Sequence, residues 1–140
     1  MFLLDTNVAS EATKGSPLPA VMTWLAAQPT AAIHLSVITL AEIRYGIELR
    51  AEGHRRRALE IWYPKMVASL GDRILPVDRE VAELWGALRR RTDLARRTIP
   101  IMDAFLAATA EVHGLTLVTR NVRDFAAWGG PVFDPWAQSD

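Results

Sequence analysis

The chain has 140 residues, which suits one domain around one core, and half of them are hydrophobic. With 16 basic and 16 acidic residues the formal net charge is zero, so bulk charge alone points to no partner. There is no cysteine, which excludes disulfides, thiolate metal sites and a cysteine nucleophile. No apolar stretch reaches the roughly 18 residues that a membrane span requires, and the opening MFLLDTN lacks the basic start of a signal peptide. A soluble, cytoplasmic protein is expected, with a single domain over residues 1–140 and no membrane partner.

Phe2–Leu4 is a short apolar run, as in a buried strand. Asp5-Thr6-Asn7 ends it with residues that favour turns and helix N-caps. A helix is predicted from near Val8 to the stop at Gly15-Ser16-Pro17, and a second over Ala20–Ala27, closed by Pro29. Ile33–Ser36 reads as a strand, with Ser36 capping a helix over Val37–Arg50. Arg55–Ser69 is amphipathic and helical, kinked or split at Pro64. Ile74–Val77 is a third strand, after which Asp78 caps a helix over Glu80–Arg91. Polar, irregular chain follows over Thr92–Pro100. Ile101–His113 is a helix with Gly114 as its C-cap. Leu115–Thr119 is a strand, the chain turns through Asn121, and a last short strand lies near Val132-Phe133. Strands alternating with helices predict an α/β fold, an α/β/α sandwich with a central, mainly parallel sheet.

Three acids interrupt this apolar pattern. Asp5 ends the first apolar run. Glu42 shares a helical stripe with Ile38, Tyr45 and Leu49, where an apolar residue is expected, while Arg44, Glu48 and Arg50 suit the wet side. Asp103 is the only charge between Pro100 and Glu111, on a face with Leu106, Ala107 and Ala110. A carboxylate buried without a partner loses roughly several kcal/mol of solvation. Each acid also has a structural reading: an arginine partner for Glu42, the helix dipole for Asp103, a turn or cap for Asp5. A cap does not require Asp5, because Thr6 or Asn7 caps equally well. Three acids on separated segments point instead to a shared cation.

In open α/β sheets, sites form beyond the carboxyl ends of strands. Asp5 and Asn121 follow strands, and Glu42 and Asp103 lie in helices entered near that edge. Hard oxygen ligands select Mg2+ or Mn2+. His34, His54 and His113 show no ligand spacing, and neither an H-E-x-x-H pattern nor a Gly-rich phosphate loop is present. Phosphodiester hydrolysis is the chemistry such a cation serves. Arginine clusters at residues 55–57, 89–91 and 96–97 suit phosphate contacts or plain solvated helix faces.

These segments resemble the PIN-domain ribonucleases, in particular the toxins of type II toxin–antitoxin modules of the VapC/FitB kind. LLDTNV is similar to their opening motif, and SVITLAEIRYG to a second motif whose glutamate falls on Glu42. DAFLAATA is similar to a third motif whose aspartate falls on Asp103, and LVTRNVRDF with VFDPW to the closing segment. The resemblance covers essentially the whole chain and implies a PIN-like sandwich and Mg2+-dependent RNA cleavage, with Mn2+ able to substitute. On this reading Asp5 and Asp103 are expected to hold the metal and Glu42 to complete the shell or orient the attacking water; Thr6, Ser36 and Thr119 are candidates to orient ligands or contact phosphate, or plain cap and turn residues, and Arg120 and Arg123 are candidates to guide RNA. The resemblance also implies a homodimer and a cognate antitoxin with a DNA-binding domain, often presenting an arginine to the acids. The family's fourth acid falls on Asn121, which brings no charge, and Asp124 stands nearby as a substitute or as a surface turn acid.

Two other readings compete. Asn121 fits a PIN-like binding module for RNA or a protein, with catalysis lost. A phosphotransferase using Asp5 as nucleophile would be expected to show D-x-D, and Asn7 replaces the second acid. Trp24, Trp62 and Met66 offer anchors for a partner helix, or ordinary core packing.

Overall fold

The computed structural model describes residues 1–138. The expected domain's last two residues, 139 and 140, lie outside the described residues. Five strands form one sheet: β1 (Phe2–Leu4), β2 (Ile33–Ser36), β3 (Ile74–Leu75), β4 (Thr116–Val118) and β5 (Val132–Phe133). Their order is β3-β2-β1-β4-β5 and every pairing is parallel. The helices are α1 (Thr6–Ala9), α2 (Pro19–Ala27), α3 (Val37–Leu49), α4 (His54–Leu70), α5 (Arg79–Leu94) and α6 (Ile101–His113).

Strand alternation divides the core into two layers. Leu3 and Leu117 are register partners and join the cluster under α5 and α6, with Leu88, Leu106, Ala107 and Phe125. Leu4 and Val118, the next register pair, turn to the other face and meet Val8, Val21 and Leu35. Trp24 is part of that second layer, with its ring centroid 5.1 Å from those of Phe2 and Phe133. Core packing therefore accounts for Trp24. Trp62 and Met66 pack at the edge of a third cluster built on Ile43, Ile47 and Leu59.

Several boundaries differ from the sequence reading for identifiable reasons. The first helix starts at Thr6, because Asp5 itself is the N-cap, and it lasts only to Ala9. Ser10 Oγ donates to the Thr6 carbonyl, and the chain continues as a 3₁₀ turn over Glu11–Thr13. Pro64 neither breaks nor splits α4; it sits on the exposed side, where the unpaired carbonyl one turn back can meet water. β3 ends at Leu75, since Pro76 has no N–H for the ladder. The stripe through Glu42 does not face the core as a whole. Tyr45 and Leu49 are exposed, and α3 buries Thr39, Ile43 and Ile47 instead.

α5 runs on to Leu94, so the irregular segment begins later than expected. It ends in a Schellman turn: Arg97 N donates to Thr92 O and Arg96 N to Asp93 O. The left-handed position of that motif, usually glycine, is Arg96 with φ 57°. Relief of this strain outweighs the added chain entropy of glycine, so Arg96→Gly is expected to stabilise the fold by roughly 0.5–1 kcal/mol. Thermal denaturation of the two chains checks this, with a higher midpoint for the variant.

Candidate active site

β2 and β3 extend the sheet to one side of β1, and β4 and β5 to the other, so the direction of winding reverses between β1 and β4. A crevice opens where winding reverses, beyond the carboxyl ends of the two strands. Asp5 leaves β1 at that point and Thr119 leaves β4. The Asp5 N–H donates to the Val118 carbonyl at 2.8 Å, extending the ladder by one step. Asp5 is only 6% exposed and its carboxylate is closely held. Oδ1 accepts from the Thr6 N–H at 2.7 Å, and Oδ2 accepts from Thr119 Oγ1 at 2.7 Å. Asn7 Nδ2 approaches Oδ2 at 3.5 Å, while Asn7 Oδ1 accepts from the Arg120 N–H.

Thr6 connects the next acid, donating from Oγ1 to Glu42 Oε1 at 2.9 Å. Asp103 sits in the first turn of α6. Glu42 and Asp103 are half-buried rather than core residues, so the cost inferred from sequence applies in full only to Asp5. Among the described residues nothing donates a side-chain hydrogen bond to Asp103, and no arginine pairs with Glu42, Asp5 or Asp103. Ser36 Oγ accepts from the Ile38 N–H as the cap of α3 and hydrogen-bonds none of these carboxylates. Thr119 is fully buried and links Asp5 to the following turn by accepting from the Asn121 N–H.

Electrostatics tie the acids together. Burial pushes the Asp5 carboxyl above its ordinary range against the pull of its hydrogen bonds, and Asp124 adds to the rise. Burial also raises Glu42, with a contribution from Asp5. Asp103 rises to about 6, through burial first and then the charges of Asp5, Asp124 and Glu42. Asp124 is thus electrically part of the group although exposed. Asn121 offers its N–H to Thr119, and its side chain lines an outer groove with Arg120, Arg123 and Asp134. Arg120 also lies over the Trp136 ring, 5.4 Å from the centroid.

A model of the PIN domain matches residues 2–129. The chain belongs to the PIN-domain family. The toxin FitB of Neisseria gonorrhoeae is 36% identical over 137 residues, covering 97% of this chain and 99% of that protein. The VapC ribonuclease Y4jK of Sinorhizobium fredii is 34% identical, with coverage of 97% and 98%. A solved structure of FitAB bound to an IR36 DNA fragment superposes with a TM-score of 0.94 at 34% identity, spanning 100% of this chain and 99% of that one. Among the described residues of this PIN domain no helix is long and apolar enough to cross a membrane.

Sequence reasoning missed two parts of the PIN-domain crevice. Asn7 bridges Asp5 and the turn after β4, and its place beside Asp5 in DTN was the available signal. Lys14, Arg50 and Arg55 line a groove running from Glu42, and no spacing reveals it because three separate segments build it.

The oxygen donors fit a hard divalent cation. Asp103 is raised by the charges of Asp5, Asp124 and Glu42, Glu42 by Asp5, and Asp5 by Asp124, a like-charge repulsion that a shared cation would relieve. Among the described residues no three histidine or carboxylate groups already stand in chelating geometry.

Raised values mean that the Asp5, Glu42 and Asp103 carboxyls bind protons more tightly in the folded chain than in the unfolded one. Without metal, the stability contributed by Asp103 is therefore full below pH 3.8 and lost as pH rises towards about 6. In chelator, the midpoint of urea unfolding is expected to fall across this interval for the wild type. It should change less for Asp103→Asn; identical profiles would show that Asp103 does not titrate as described.

Proposed function

We propose that this chain is a Mg2+-dependent endoribonuclease, with Mn2+ able to substitute, acting as the toxin of a type II toxin–antitoxin module. The observation that carries the reading is the group of mutually repelling carboxylates at the β1/β4 crevice of a PIN domain. The similarity to the VapC ribonuclease Y4jK and the toxin FitB supports RNA as substrate and a toxin role. The FitAB–DNA complex supports an antitoxin partner that carries a DNA-binding domain. A homodimer belongs to the same proposal.

Asp5 and Asp103 hold the cation, and Glu42 completes the set or orients the attacking water. Asp124 supplies the fourth charge, the place the family motif gives to Asn121. When bound, the cation lowers the pKa of water and neutralises charge gathering on the phosphate. Thr119 and Thr6 act by fixing Asp5 and Glu42 through the hydrogen bonds described above. Water attacks phosphorus, Glu42 accepts its proton, and the bond to the leaving ribose oxygen breaks as that oxygen takes a proton from solvent. An arginine of the antitoxin inhibits by entering the same acids, replacing the cation's charge with a guanidinium.

Purified protein is expected to cleave cellular RNA with Mg2+ and to stop in EDTA. Glu42→Gln should slow cleavage by roughly 10²–10⁴-fold, and Asp5→Asn or Asp103→Asn should abolish it. Cleavage that persists in EDTA or in Asp5→Asn rules this mechanism out. Separately, Thr119→Val should weaken Mn2+ binding by roughly 10–100-fold, as read by calorimetric titration. Unchanged affinity would mean that the threonine only buttresses the turn.

A further inference from the structure

Asp103 has no side-chain donor to hold it, so the first turn of α6 decides where its carboxylate stands. That turn has weak ties of its own. Its N-cap is Pro100, which brings no polar side chain, and among the described residues no side chain caps the helix. The chain just before it is anchored by Ile99, 1% exposed, and by a bond of 3.4 Å from the Ile99 N–H to Thr92 Oγ1. Such a bond is long and weak.

The firmer attachment comes from α5. Trp85 Nε1 donates to the Ile101 carbonyl at 3.1 Å. The same indole stacks on Phe105, with ring centroids 5.0 Å apart and planes 18° apart. Phe105 lies one turn beyond Ile101, and in the helical pattern its N–H donates to that same carbonyl. The carbonyl has two lone pairs, so the indole takes the second. One side chain thus grips the first turn at both ends. Asp103 lies between them, about 200° round the helix from Phe105, and projects from the side away from Trp85.

Trp85 is itself well seated. It is half-buried against the core layer of Leu88 and Leu106, and the Arg89 guanidinium lies 5.4 Å from its ring centroid.

We propose that Trp85 is a positioning residue for the metal site. By holding the Ile101 carbonyl and the Phe105 ring against α5, it sets where Asp103 stands relative to Asp5 and Glu42. Mg2+ demands near-ideal octahedral geometry, so a first turn free to shift would present a poorer ligand. This rests on the metal-dependent reading above.

The experiment compares Trp85→Phe with the wild-type chain. Phenylalanine keeps an aromatic ring beside Phe105 and removes the donor. Mn2+ affinity, read by calorimetric titration, is expected to fall roughly 3–10-fold, the effect of one net hydrogen bond. In RNA cleavage, the Mn2+ concentration for half-maximal rate should rise by the same factor. Saturating Mn2+ should restore kcat, and KM for RNA should not change. Trp24→Phe is the control, since Trp24 packs in the other core layer, against Phe2 and Phe133. It should lower the melting temperature and leave Mn2+ affinity as it was. In the wild-type chain, Mg2+ should move the Trp85 indole N–H resonance and leave that of Trp24 in place. Unchanged Mn2+ affinity in a folded Trp85→Phe chain overturns the positioning role alone. So does an equal loss in Trp24→Phe, which makes the effect one of general loosening. Should Trp85→Phe not fold, the wild-type resonance decides, and an indole signal unmoved by saturating Mg2+ overturns the role. A wild-type chain that binds no Mn2+ overturns the metal-dependent reading, and the positioning role with it.

Discussion

One buried hydrogen bond organises the crevice: Thr119 Oγ1 to Asp5 Oδ2, 2.7 Å, across the ends of β1 and β4. Neither strand bonds the other beyond this point, because the sheet's winding reverses there and the chains part. The hydroxyl fixes the carboxylate, and the same oxygen accepts the Asn121 N–H and so shapes the following turn. That turn leads into the 3₁₀ segment Val122–Phe125, which carries Asp124 and buries Phe125 in the α5–α6 layer. A single threonine thus connects buried Asp5, exposed Asp124 and a core layer.

The other acids are positioned more loosely. Glu42 depends on one threonine hydroxyl, and Asp103 on the direction of α6 alone. This gradient matches the burial. Asp5, almost out of solvent, needs donors on both oxygens to remain there, since an unpartnered buried charge is far more costly than an exposed one. Burial and the charges of Asp5, Asp124 and Glu42 lift the half-buried Asp103 carboxyl to about 6, so it relaxes by taking up a proton. A group that must give way to either a proton or a cation is poorly suited to stabilising the fold and well suited to binding a metal reversibly.

Much of this was legible in the chain. Phe2–Leu4, Ile33–Ser36 and Ile101–His113 carry their boundaries in their own residues: a turn former after an apolar run, a serine cap, a glycine in the left-handed position. α1 was not legible. Apolar spacing says nothing about Ser10 returning a hydrogen bond to Thr6, and local competition for backbone carbonyls ended that helix early. The stripe through Glu42 misled because spacing gives relative direction only. Which face turns inward is decided by α4, which packs on Ile43 and Ile47 and leaves Tyr45 and Leu49 to solvent.

Asn121 and Asp124 separate motif position from physical position. Motif matching assigns the fourth acid by counting from Thr119 and arrives at Asn121. Charge acts through space, and the 3₁₀ turn that follows carries residue 124 back towards the strand ends, where its carboxylate raises both Asp5 and Asp103. The Asp124 N–H donating to the Asn121 carbonyl is the bond that closes this turn. Asn121 therefore bears on the acidic group by shaping the turn that presents Asp124.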